Sequence, residues 1–227
     1  MIHPTVETII LELRNLANPK AKSIYERQSQ KEEVLGVNRG PLRALANSLK
    51  PNHELALGLW ESELFEARIM AAMLFDPKRL DEETLSQLIE STPSIALLDE
   101  LCFDVFESYP DPLAFFEHHR THTLVSHRRS AYNTAISMAM NPKTDSSILD
   151  HFLTLIKQDS LSEYPEVQYA MNRCLVEIGV RHDAYTNRCI QLGEALGLYK
   201  DVKVAKGCTS PYAPEWIRVA RYNRSRR

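Results

Sequence analysis

One carboxylate interrupts an otherwise apolar stripe of a predicted helix. The stripe runs through residues spaced by four, three and four positions: Ile95, Asp99, Cys102 and Phe106. This spacing puts all of their side chains along one side of a helix. A carboxylate in apolar surroundings is costly unless it is paired or used. Such a carboxylate can serve in catalysis, where it stabilises a developing positive charge or positions a water. An ion pair with a structural arginine, or a place at the solvent edge of the stripe, are the alternatives.

A pair of arginines opens another predicted helix. Arg128 and Arg129 follow Ser126, which has the chemistry of an N-cap residue. Arg129 and Asn133 share one polar side of this helix, which suits contacts with phosphate oxygens. The alternative is a pair of arginines on a solvated face.

The histidines and cysteines do not form a credible metal set. His118 and His122, on either side of His119, have the i, i+4 spacing that can hold zinc on a helix, but no carboxylate or cysteine completes the set. A polar loop or helix end is the favoured interpretation. The four cysteines are far apart and are interpreted as free thiols: Cys102, Cys174, Cys189 and Cys208. We therefore expect no metal and no cofactor.

The elements that carry these residues are predicted to be helices throughout. Most prolines precede a segment of helical periodicity, and hairpin turns are absent. Three segments resemble one another, 62–75, 126–140 and 164–179, the last two at an offset of 40 residues. That offset is typical of HEAT repeats. We predict an all-α, HEAT-like-repeat α-solenoid (an α-α superhelix) with a concave surface for a partner; a helical bundle without repeats is the alternative.

Charge is distributed unevenly along the 227 residues. Residues 197–227 carry eight basic and two acidic side chains, a net charge of +6, whereas the remaining chain has a net charge of −9. This asymmetry predicts a basic C-terminal extension that contacts a polyanion, or alternatively a solvated tail. We therefore divide the chain into a repeat domain, 1–196, and the extension, 197–227.

No apolar run approaches a membrane span of about 18 residues, and the N-terminus has the pattern of an amphipathic helix, so we expect a cytoplasmic protein.

The stretch 35–75, LGVNRGPLRALANSLKPNHELALGLWESELFEARIMAAMLF, resembles the DNA alkylation repair family. The resemblance rests on a Leu-Gly-Val turn, a Leu-Arg helix and a Leu-Trp followed by Glu-Ala-Arg. It continues through 94–106, the Arg128–Arg129 pair and 166–179, so it covers roughly 20–195. It implies a HEAT-like solenoid whose concave, basic face holds duplex DNA.

The resemblance also implies roles for particular residues. Characterised members excise N3- or N7-alkylated purines with an aspartate supported by tryptophans and with an arginine that contacts DNA. The aspartate matches Asp99, and the arginine matches Arg129, or Arg128 if the register differs by one. The tryptophan positions fall on Ile95 and Arg173 here.

These two departures from the pattern bear on the chemistry. Isoleucine has no π face, and an arginine repels a cationic lesion but can hold a phosphate. Tyr169, one turn before Arg173, is a candidate substitute for the missing aromatic wall.

The sequence thus predicts a DNA repair protein that binds duplex DNA, alkylated or distorted, and hydrolyses the N-glycosidic bond of alkylated purines. Asp99 is the expected catalytic residue. The expected DNA contacts are Arg128, Arg129, Asn133, Tyr169 and Arg173. The alternatives are a non-catalytic DNA-binding member of the family and a protein-interaction scaffold. We expect a monomer with no membrane partner.

Overall fold

The computed structural model describes residues 4–29 and 32–226 and contains thirteen α-helices within them. They are α1 (Val6–Asn15), α2 (Pro19–Tyr25), α3 (Arg39–Leu49), α4 (His53–Glu61), α5 (Phe65–Leu74), α6 (Glu82–Glu90), α7 (Ile95–Phe106), α8 (Pro112–His119), α9 (Val125–Met140), α10 (Ser146–Asp159), α11 (Pro165–Arg181), α12 (Thr186–Leu196) and α13 (Ala213–Ser225). Two short 3₁₀ turns accompany them, and the described residues form isolated bridges but no strand. The all-α prediction is confirmed.

Helical periodicity predicts helices near 5–17, 19–30, 40–49, 51–60, 63–75, 82–91, 94–108, 112–118, 125–140, 144–157, 164–178 and 183–196. The helices α1 to α12 coincide with these twelve segments, whereas α13 was not predicted. The sequence predicts an ordered tail over 207–218 that docks Tyr212 and Trp216, but no helix. Pro214 instead occupies the first turn of α13, where the missing N–H has no helical partner to lose.

The chain divides into two compact units, the first ending at Phe115 and the second beginning at Phe116, inside α8. In the first unit α5 is the central helix, because every one of its residues is buried and it packs against α1, α3, α4 and α7. In the second unit α11 packs against α9, α10, α12 and α13. The boundary predicted at residue 196 lies within the second unit and stays a prediction.

Two charged side chains lie inside α5, in the Glu-Ala-Arg motif. Glu66 is fully buried and accepts backbone N–H bonds from the turn at Leu35, Gly36 and Val37 at 2.6–3.1 Å. Arg68 donates to the carbonyl of Trp60 at 2.7 Å and pairs with Glu32. Glu66 and Arg68 therefore each fix a neighbouring loop.

No helix among the described residues has the length and apolar character to cross a membrane.

Candidate nucleic-acid interface

Asp99 lies in the first unit, at the point where the side of α7 passes from surface to core. Ile95, one turn earlier, is 40% exposed, whereas Cys102 and Phe106 are buried. Asp99 between them is half-buried. The helix begins at a conventional cap, since Ser94 accepts the N–H of Leu97. The carboxylate thus stands at the boundary of the stripe rather than within a uniformly buried one.

The same helix carries two further half-buried carboxylates, Glu100 and Asp104, and sequence reasoning missed Asp104. Burial raises the pKa of Asp104 to about 6, and neighbouring Glu100 adds to the shift. Glu100 itself pairs with Arg39 at 2.9 Å. The only sequence signal for Asp104 was a charge in a strongly apolar helix, since it lies off the stripe that contains Asp99.

In the second unit, Arg128 contacts protein groups on several sides. Its guanidinium donates to the carbonyl of His122 at 2.6 Å, pairs with Glu163 at 3.1 Å and lies 5.3 Å from the centre of the Tyr164 ring. Since Glu163 and Tyr164 immediately precede α11, Arg128 holds the start of that helix against α9.

Arg129 and Asn133 are also inside the second unit, where they are 4% and 1% exposed. Arg129 donates to the carbonyl of Glu166, in the first turn of α11. Two residues predicted to contact DNA therefore lie in the packing between α9 and α11.

Tyr169 is 38% exposed and belongs to an aromatic cluster on one side of α11. Its ring centre lies 5.9 Å from that of Tyr199 and 6.5 Å from that of Trp216. Trp216 comes from α13, and the sequence did not indicate that it would meet Tyr169. The cluster supplies an aromatic face beside Arg173, which is half-buried one turn after Tyr169.

The basic C-terminal segment is anchored on the body of the second unit. Asn172 donates to the carbonyl of Pro211 at 2.9 Å, and Ile217 is fully buried. Two glycines allow this close approach. A Cβ atom at Gly179 would lie 2.8 Å from Ile217, and one at Gly193 would lie 2.9 Å from Pro214. Within this segment, residues 213–225 are thus held as a docked helix, a question that the sequence left open.

Charge differs strongly between the two units. The first, up to Phe115, has 11 basic and 19 acidic residues, whereas the second has 16 basic and 11 acidic residues. The net charges are −8 and +5. Among the described residues of the C-terminal segment, six basic side chains are exposed: Lys200, Lys203, Lys206, Arg218, Arg224 and Arg226. We call this set the C-terminal basic surface.

The histidines lie at the end of α8 and beyond it, so His118 and His122 do not share one helix. The Nδ1 atoms of His119 and His127 lie 2.9 Å apart with both residues buried, and the ring of His122 packs 4.1 Å from that of His127. At 2.9 Å between their Nδ1 atoms, one of the rings of His119 and His127 donates a hydrogen bond to the other, and this bond holds α8 against α9.

Comparison with known proteins gives two findings. The family model described as DNA alkylation repair enzyme matches residues 9–217. A solved structure described as a new family of proteins related to the HEAT-like repeat DNA glycosylases, with affinity for branched DNA structures, is 19% identical. The match covers 98% of this chain and 96% of that chain, with a TM-score of 0.84. No curated protein matches the chain.

The structural likeness confirms the HEAT-like-repeat fold predicted from the offset of 40 residues. The family model spans nearly the whole chain, including α5, α7, α9 and α11, on which the resemblance was based. The chain therefore belongs to the DNA alkylation repair enzyme family.

Proposed function

We propose that the protein binds DNA through its second unit, with the C-terminal basic surface on the phosphate backbone. The observation that carries this proposal is the exposed set of lysines and arginines on a unit of net charge +5. Phosphate contacts supply most of the affinity of DNA-binding proteins and are independent of sequence.

The ion pairs on this surface do not prevent such contacts. Arg218 pairs with Glu194 at 3.0 Å, but both side chains are about half exposed. Exposed pairs contribute only about 0–1 kcal/mol. A phosphate can therefore replace the carboxylate at little cost.

Fluorescence anisotropy with labelled DNA at several salt concentrations tests the proposal. We expect the logarithm of the affinity to fall linearly with the logarithm of salt, by about 0.9 for each phosphate neutralised on duplex DNA. Both a linear duplex and a three-way branched DNA are needed, because the structural relative has affinity for branched DNA.

Matched double variants locate the contact. Lys203→Ala with Lys206→Ala removes two exposed charges from the second unit, whereas Lys20→Ala with Lys22→Ala removes two from α2 in the first unit. The Lys203/Lys206 variant should bind more weakly, and its plot of log affinity against log salt should be less steep by about two. The Lys20/Lys22 variant should bind as the wild type does. Equal effects, or affinity independent of salt, would refute the proposal.

Base excision at Asp99 is a second candidate function. It is favoured by the half-buried carboxylate of Asp99 beside the exposed side chain of Ile95 on α7. A purine alkylated at N3 or N7 is a cationic leaving group. As its bond to C1′ breaks, the sugar gains oxocarbenium character that a fixed carboxylate stabilises. Water then adds to C1′ and releases its proton to the solvent.

Base release from methylated duplex DNA decides this second candidate. We expect the wild type to release alkylated purine and Asp99→Asn not to, while Glu107→Gln, exposed just after α7, releases it at the wild-type rate. Retained release by Asp99→Asn would exclude the assigned role. No release by the wild type, with salt-dependent binding intact, would identify a non-catalytic DNA-binding member.

Light scattering of the free protein tests the expected monomer.

A further inference from the structure

A cavity of about 340 Å³ lies between α11 and α13 in the second unit. Its volume is in the range of small-molecule sites. It is lined by Val176, Glu177, Val180, Arg181, Trp216, Ala220, Asn223 and Arg224. None of these residues was assigned a binding role from the sequence.

The walls of the cavity combine an aromatic ring with two guanidinium groups. Trp216 is half-buried and offers part of its ring, while Arg181 and Arg224 bring positive charge to the same cavity. Small apolar side chains such as Val176 and Ala220 complete the lining. An aromatic face beside arginines is the combination with which proteins hold single nucleotides, since every base has a π face and every nucleotide a phosphate.

Both arginines keep donors for a ligand. Arg181 donates to Glu177 at 3.1 Å and Arg224 donates to the carbonyl of Val180 at 3.1 Å. A guanidinium has five N–H donors, so each of these two side chains uses only a minority of its donors on the rest of the described chain. Because Glu177 offsets only one of the two charges, the lining keeps a net charge of +1.

We infer that this cavity binds one unpaired nucleotide of bound DNA, with the base against Trp216 and the phosphate between Arg181 and Arg224. The inference rests on the proposed DNA binding. A paired base is stacked on both faces and does not offer a free face to a side chain, whereas a nucleotide at a branch or bulge does. The cavity therefore selects DNA that contains an unpaired nucleotide.

The fluorescence of 2-aminopurine tests this inference directly. The full-length protein is titrated into a duplex with a single-nucleotide bulge of 2-aminopurine and into a matched, fully paired duplex. Stacking of the bulged base on Trp216 should quench the 2-aminopurine emission. The bulged duplex should bind more tightly than the paired duplex, by about tenfold for one stacked base.

Variants of two aromatic residues on α13 separate the cavity from the general DNA contact. Trp216→Leu should abolish both the quenching and the preference for the bulge while keeping the affinity for paired duplex. Tyr222→Leu removes a side chain that is 60% exposed and outside the cavity lining, and should leave the preference intact. Trp216→Phe keeps an aromatic ring and should retain much of the preference, which separates lost stacking from an undocked helix.

The outcomes distinguish this inference from the proposed function. If the wild type binds both duplexes equally without quenching, the nucleotide site is wrong and DNA binding stands. A preference that survives in Trp216→Leu would also overturn the site. If the wild type binds neither duplex, the proposed function fails and the site fails with it.

Discussion

At the scale of single residues, the charges divide into those held inside the protein and those left for a partner. Sequence periodicity placed Arg129 and Asn133 on one polar side of α9, but that side faces α11. Periodicity reveals which residues share a side and not what packs against it. A buried arginine that donates to a backbone carbonyl has the same sequence pattern as one that contacts phosphate.

Glu66 is the clearest case of a buried charge with a structural role. Replacing it with glutamine removes an ionised acceptor from three backbone N–H groups. We expect Glu66→Gln to lower the free energy of unfolding by about 3 kcal/mol, because bonds to a charged acceptor are strong and buried donors are costly to leave unpaired. Urea denaturation measures this. Glu54→Gln, at an exposed ion pair with Arg79, should leave it close to the wild-type value. Equal losses in both variants would contradict the assigned role.

Glu32 should make stability depend on pH. Its burial raises the pKa from 4.5 to about 7, an effect that Arg68 partly offsets and that Glu63 and Glu66 reinforce. The folded protein therefore holds this proton more tightly than the unfolded chain. The resulting stabilisation is complete below about pH 4.5 and is lost as the pH rises through 7.

Glu32→Gln, which mimics the protonated carboxyl, provides the measurement. The unfolding free energy of the wild type minus that of the variant should fall between pH 5 and pH 7.5, at no more than about 1.4 kcal/mol per pH unit. A difference that rises with pH over this range would contradict the raised pKa.

At the scale of elements, α11 and α13 define the candidate interface, and the sequence predicted only the first of them. The apolar positions of α11 are regular enough to predict its span. Gly207 and Pro211 lie between α12 and α13, and Pro214 lies in the first turn of α13, a composition from which an ordered tail but no helix was predicted. The buried contacts of Ile217 with α11 decide the outcome, and they are tertiary.

Glycine substitutions test how tightly α13 is docked. Gly193→Ala places a Cβ atom 2.9 Å from Pro214 of α13. We expect a loss of about 1–3 kcal/mol from overpacking, together with faster proteolysis after residue 200. Gly40→Ala is the control, because nothing lies within 4 Å of its Cβ position and alanine favours a helix; it should be neutral or stabilising by about 1 kcal/mol. Unchanged stability and proteolysis in Gly193→Ala would mean that α13 is not held as described.

At the scale of the whole molecule, fold and family followed from sequence, whereas the location of the interface needed the structure. Helical periodicity and an offset of 40 residues were sufficient for the HEAT-like fold. The sequence showed a basic extension but not the anchored helix that fixes it, nor the cluster of Tyr169 with Trp216. The central claim is therefore that the main contact with the DNA backbone is made by the second unit, of net charge +5, rather than by the first, of net charge −8.

Amide hydrogen exchange of the full-length protein, with and without a branched DNA, tests this claim most directly. We expect DNA to slow exchange in peptides from α11, α13 and the segment 197–212, and to leave peptides of α1–α6 unchanged. Slower exchange confined to the first unit would contradict the account.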